Sequence, residues 1–190
     1  VLLALHKPYD VLSQFTPDHP GQHTLADFGL PKNVYPLGRL DRDSEGLLLL
    51  SDEPGLNTKL LDPKNAHSRT YWAQVEGEAT EDALQKLRDG VVIEGKMTLP
   101  AQAKHIHPNL PLREPSIRFR QNIPTSWIEL TLHEGRNRQV RKMTSAAGHP
   151  TLRLLRMAID RFHLPNNLAP GHWCGLTETD RALIFSNLKS

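Results

Sequence analysis

The chain has 190 residues, a formal charge of +2 and a single cysteine, Cys174. One cysteine excludes an internal disulfide and suits a reducing compartment, and no apolar run approaches the roughly 20 residues that a membrane-spanning helix needs. No charged-then-apolar leader opens the chain, so a cytoplasmic protein without membrane contact is expected. The small net charge conceals a polarity: residues 1–95 hold 9 Lys and Arg against 15 Asp and Glu, whereas residues 96–190 hold 14 against 6. A basic second half suggests a polyanionic partner, with nucleic acid the leading candidate, although solvated basic faces would give the same count.

In chain order, the apolar Val1 to His6 reads as a strand, and Lys7-Pro8-Tyr9-Asp10 turns it into a second, Val11 to Phe15. Residues 16–33 carry Pro17, Pro20, Gly21, Gly29 and Pro31 and read as loop with one helical turn. Val34 to Leu37 leads into Gly38 to Ser51 (GRLDRDSEGLLLLS), the stretch around which the chain is organised. Arg39, Asp41, Arg42, Asp43 and Glu45 stand between Gly38 and Gly46, and the leucines Leu47 to Leu50 follow at once. Such a short apolar run predicts a strand buried on both faces, and a polar turn pinned to it is held rigidly, as a reactive group must be. Beyond it, Asp52 is expected to cap a short helix with Pro54 in its first turn, ending near Leu61.

Residues 62–68 read as a polar loop, and Arg69 to Glu76 (RTYWAQVE) as a strand ended by Gly77. Thr80 caps a predicted helix with Ala83, Leu84 and Leu87 as its apolar stripe and Gly90 as its stop, and Val91 to Ile93 follows as a short strand. Pro100, Pro108, Pro111, Pro115 and Pro124 restrict residues 100–124 to short or edge strands. Trp127 to His133 alternates apolar and polar residues as a half-buried strand does, and Asn137 to Ala147 reads as a helix stopped by Gly148. Thr151 to Phe162 predicts a strand with an irregular middle, and Thr177 with Asp180 opens a closing helix. Strands outnumber helices and hairpin-length connections dominate, so the expected fold class is α+β with a largely antiparallel sheet and flanking helices.

Three constellations carry chemistry. In the central turn, Asp41, Asp43, Glu45, Gly46 and Asp52 match positions of a calcium loop, but Pro36 and Gly38 stand where that loop needs a helix, and Arg39 and Arg42 would repel a dication. A solvated ion-pair cluster is the other reading open to composition alone. In His133 to Met143 (HEGRNRQVRKM), Arg136 and Arg138 stand around the helix start. Arg138, Arg141 and Lys142 form a basic stripe with Val140 and Met143 inward, and it continues into Arg153, Arg156 and Arg161. Arginine's planar fork suits phosphate. In Tyr71-Trp72, successive strand side chains point to opposite faces, so one ring can reach a cleft while the other joins the core. His105 with His107, or His172 with Cys174, lack zinc-ligand spacing, and no phosphate loop or nucleophile elbow occurs, so neither metal nor organic cofactor is expected.

His6-Lys7-Pro8-Tyr9, GRLDRDSEGLLLLS, TYWAQVEG, EGRNRQVRKM and TLRLLR, in this order, resemble the RsuA-type pseudouridine synthases, which modify ribosomal RNA. The likeness covers nearly the whole chain and is most similar to members acting on 23S ribosomal RNA. It implies a pseudouridine synthase catalytic fold, a single catalytic domain over residues 1–190 with two lobes around a central cleft. By that resemblance Asp41 is the catalytic aspartate, Tyr71 stacks on the target base, Arg141 pairs with the aspartate and Val140 touches the base. Arg39, Arg42, Arg136, Arg138 and Lys142 are then the RNA-binding cations. The small N-terminal RNA-binding domain of most relatives is expected to be absent, because the first motif starts at residue 6. Arg69 stands where relatives often have lysine, which keeps the charge. The implied reaction detaches uracil from its ribose nitrogen bond, turns it and rejoins it through carbon 5, without redox change, net water or cofactor. A monomer acting on 23S ribosomal RNA is expected. A 16S or transfer RNA synthase is the alternative within the class, and a non-catalytic ribosomal RNA-binding assembly factor the alternative outside it.

Overall fold

The computed structural model describes residues 1–118 and 120–185, which form two compact units: Val1–His67 with Arg156 onward, and Ser68–Leu155. The first unit supplies strands β1 (Leu2–Lys7), β2 (Val11–Leu12), β3 (His23–Thr24), β4 (Tyr35–Leu37), β5 (Glu45–Ser51) and helix α1 (Leu56–Leu61). The second follows with β6 (Arg69–Glu76), α2 (Glu81–Asp89), β7 (Val92–Ile93), β8 (Lys96–Met97), β9 (Gln102–Ile106), β10 (Thr125–Leu132) and α3 (Gln139–Ala146). Strand β11 (Thr151–Ile159) begins among the residues of the second unit and ends among those of the first, which closes with β12 (Phe162–His163), β13 (Trp173–Gly175) and α4 (Glu178–Phe185). The fold class is α+β, as the sequence predicts.

In the first unit β1 runs antiparallel to both β13 and β5, and β4 also pairs antiparallel with β5. The register sets Leu3 opposite Leu50 and Leu5 opposite Leu48. Alternate residues therefore feed two cores. Leu3, Leu5, Leu48 and Leu50 join Val11, Leu25 and Leu40 on one side, and Leu2, Ala4, Leu47 and Leu49 join Leu56, Leu60 and Ile184 on the other. Being buried on both faces is why β5 carries leucine without alternation, each worth ~1.5–3 kcal/mol relative to exposure.

In the second unit β10 lies antiparallel between β6 and β9. One face of this sheet packs Ala73, Val75, Ile128, Leu130 and Leu132 against Leu84 and Leu87 of α2 and Val140 and Met143 of α3. The other face carries Trp72, Gln74, Trp127 and Glu129, with the Trp72 indole N–H donating to Glu129 at 2.9 Å. Strands β7 and β8 join through Glu94-Gly95, both at positive φ, as a tight hairpin requires.

Several elements differ from the sequence reading. The strand expected over Val11 to Phe15 is two residues long, because it pairs in parallel with β3 rather than folding back on β1. Helix α1 is capped at Gly55 (φ 79°) and not at Asp52; the Glu53 amide already bonds the Ser51 hydroxyl. The first residue of α3 is Gln139, with Arg138 at its N-cap in the left-handed conformation. The break expected within Thr151–Phe162 falls at Asp160 (φ 49°), between β11 and β12. Arg153 and Arg156, read as an exposed basic stripe, are buried. Among the described residues no helix is long and apolar enough to cross a membrane, and no cluster of three or more His, Cys, Asp or Glu could hold a metal ion.

Candidate active site

Asp41 opens a tight turn in the first unit: the Ser44 amide donates to its carbonyl at 3.0 Å, and aspartate is favoured at that position. The residue before it is fixed on both sides. The buried Ser13 hydroxyl donates to Leu40 O at 2.6 Å and accepts from Leu40 N at 3.1 Å, while the Leu40 side chain sits in the core. The residue after it is held by the Asp10 amide, which donates to Arg42 O at 2.8 Å, and by an ion pair between Arg42 and Asp10. Upstream, the Gly38 amide donates to the Asn57 side chain at 2.7 Å. Asp41 itself is only half-buried. A carboxylate on a backbone anchored at every neighbouring residue is pre-positioned for chemistry.

Beneath this turn lies Lys7, completely buried. Its Nζ donates to Pro8 O and Val11 O, each at 2.8 Å, and to Arg42 O at 3.4 Å. Burial pulls the Lys7 ammonium from 10.5 down to about 8, while the carboxylates of Glu45, Asp43, Asp41 and Asp10 oppose that shift. Neither Lys7 nor Ser13 stands out in the sequence as part of the site. Strand parity offers the signal for the lysine, because Leu3, Leu5 and Lys7 alternate toward one face of β1.

The remaining sequence-predicted residues belong to the second unit. Tyr71 lies on β6 opposite Leu130, half-buried and packed against the core, so it shares the core-facing side while Trp72 takes the other. On α3, Arg141 is half-buried and Val140 is 4% exposed within the core. The helix start is clamped by the buried Gln139, which accepts from the Arg136 amide at 3.0 Å and donates to Glu134 at 2.7 Å. Arg136 turns its guanidinium to Ile93 O (2.8 Å) and Lys96 O (3.2 Å), holding the β7–β8 hairpin, and Lys142 pairs with Glu94 at 2.7 Å. Arg138 is exposed. In the first unit, exposed Arg39 donates to Gln14 at 3.2 Å.

Residues 1–146 match the family model described as RNA pseudouridylate synthase. The chain is 51% identical over 173 residues to ribosomal large subunit pseudouridine synthase E of Xanthomonas axonopodis pv. citri, covering 90% of each. Its likeness to the protein of the same name from Vibrio vulnificus is also 51%, over 90% of this chain and 73% of that one. A solved structure titled a crystal structure of pseudouridylate synthase superposes with a TM-score of 0.77 at 23% identity, over 96% of this chain and 73% of that one, and shares the fold. The family match, spanning the turn of Asp41, the strand of Tyr71 and the helix of Arg141, makes this chain a member of the RNA pseudouridylate synthases, isomerases that convert uridine in RNA to pseudouridine.

Proposed function

We propose that this chain, as a single catalytic domain acting as a cytoplasmic monomer, converts one uridine of 23S ribosomal RNA to pseudouridine with Asp41 at the centre of the chemistry. The observation that carries the role of Asp41 is its partly exposed position on a turn whose neighbouring backbone is anchored by Ser13, Asp10 and Lys7. The choice of 23S RNA is supported by the relatives named as large-subunit enzymes. A uridine within folded RNA leaves its stack at a cost of a few kcal/mol before a side chain reaches its sugar or ring. Tyr71 offers the everted base a stacking surface, Val140 borders it, and Arg39, Arg42, Arg138 and Lys142 offset the cost at phosphates. Arg136 supports them indirectly through the hairpin it holds. Asp41 acts as nucleophile or base, and Arg141 serves as its basic partner. The N1–C1′ bond breaks, the base turns, the C5–C1′ bond forms, C5 loses its proton and N1 gains one.

The test is incubation with ribosomal and transfer RNA from a strain lacking the gene, followed by carbodiimide mapping of pseudouridine. One new site in 23S RNA is expected. Asp41→Asn should lower the rate by roughly a thousandfold or more, with RNA affinity largely kept. A new site in 16S or transfer RNA instead would overturn the substrate. RNA binding without turnover by the native protein would overturn the catalytic reading.

A further inference from the structure

On the side of the second unit's sheet away from its core, the proline-rich segment closes over a cavity of about 460 Å³. Its floor includes Gln74 of β6, Thr125 and Trp127 of β10 and Arg153 of β11. Its roof includes Pro108, Leu110, Leu112, Arg113, Ser116 and Ile123. The cavity is pre-formed. Arg153, 8% exposed, donates from Nη1 to Pro111 O at 2.9 Å and sets its guanidinium carbon 6.0 Å from the centre of the Trp127 ring, tying roof to floor. Arg113 braces the roof by donating to Pro115 O at 2.8 Å and Ser116 O at 3.2 Å, and Gln74 donates to Thr125 at 3.0 Å across the floor.

The lining states what fits. A volume of this size with apolar walls and a few fixed polar groups suits a small planar ligand. Among the described residues, the charged groups on the wall are the arginines Arg113 and Arg153, and no carboxylate lines it. An indole beside a guanidinium offers stacking surface to a base, the amide of Gln74 both donates and accepts at a base edge, and arginine receives phosphate. Register then distinguishes the occupant from the reacting uridine. Tyr71 lies opposite Leu130 on the core-facing side, whereas Trp127 lies opposite Gln74 on the other.

We infer that this cavity binds an unpaired nucleotide of the RNA substrate, distinct from the uridine that reacts, with its base against Trp127 and Arg153 and its phosphate toward Arg113. The inference rests on RNA as the substrate and on no particular ribosomal site. Ser116→Glu sets a carboxylate at an exposed position of the lining, and Trp127→Leu removes the ring, with Trp127→Phe as the conservative variant. The readouts are initial rates on deletion-strain ribosomal RNA and photo-crosslinking of the same RNA carrying 4-thiouridine, with the crosslinked peptide sequenced. Ser116→Glu and Trp127→Leu should each raise KM about tenfold, or about 1.4 kcal/mol, with kcat far less affected, and Trp127→Phe should recover most of the loss. Crosslinks should fall within the cavity lining between Pro108 and Trp127. Should Trp127→Leu fail to fold, Ser116→Glu decides alone. Unchanged KM in Ser116→Glu with crosslinks confined to other segments overturns the inference, as it would if the cavity took a protein partner. Crosslinking reads bound RNA whether or not it reacts, so an inert native enzyme would refute the proposed catalysis while the crosslink still decides the cavity.

Discussion

Leu3, Leu5 and Lys7 alternate toward the same face of β1, so the strand that gives two leucines to a core also delivers an ammonium to the edge of that core. All three Nζ bonds go to backbone carbonyls, and the carboxylates around the turn act on the charge through space. The folded-state pKa of about 8 lies below the usual 10.5, so between those values the unfolded chain binds more protons than the native one. The contribution of Lys7 to stability is therefore lowest at neutral pH and rises as pH climbs through that window. Compared with Lys7→Met, the native protein should gain on the order of 2 kcal/mol between about pH 7.5 and pH 9.5, whatever the offset between the two at neutral pH. Urea melts of both proteins across that range check it. Parallel profiles would mean that the ammonium is as well solvated inside as in water.

Strand β5 illustrates what an element requires beyond its own pattern. Gly46 has φ 103°, and a Cβ there would stand 2.3 Å from the Arg156 carbonyl oxygen of β11. Gly55, at φ 79°, has open space around the same position. Gly46→Ala should cost at least about 3 kcal/mol, from clash and strain together, and Gly55→Ala about 1 kcal/mol from strain alone. Denaturant midpoints of the two variants separate the terms, and equal losses would remove the clash. The same contrast governs what the sequence discloses. Helix α2 is legible because its signals are local: Thr80 accepts from the Ala83 amide, Ala83, Leu84 and Leu87 are buried, and Gly90 ends it. Strand β6 keeps its expected bounds for the same reason. Strand β2 stops after Leu12 because its partner, His23–Thr24, is a non-local choice. Arg153 and Arg156 read as surface charge until β11 takes its place among neighbouring strands, where Arg156 Nε donates to Leu47 O at 2.9 Å. Asp41, Tyr71 and Arg141 are conspicuous in long motifs, whereas Ser13 and Lys7 clamp the turn from other segments, and of these two only Lys7 leaves a trace in the sequence.

For the whole molecule, charge counted along the chain overstates what RNA meets. The second unit holds 13 Lys and Arg against 9 Asp and Glu, and the first 10 against 12, a milder asymmetry than the halves of the sequence show. Many of these cations already serve the fold. Arg136 binds hairpin carbonyls, Arg153 and Arg156 are buried, and Arg88, Arg120, Lys142 and Arg181 hold Glu81, Glu76, Glu94 and Glu53. Recruiting such a cation to phosphate means breaking an internal contact first, which weakens its net contribution. Arg39, Arg118 and Arg138 are exposed and need no uncovering to reach phosphate. About four phosphates neutralised would give a slope of log affinity against log salt near −3, whereas eight would give about −6 to −7. Titrations of a 23S fragment from about 0.05 to 0.3 M KCl measure it. Arg138→Ala should make the slope shallower by roughly 1, and Asp41→Asn should leave it unchanged, because a carboxylate releases no counterion from phosphate. A native slope near −7 would show that internal ion pairs open when RNA binds.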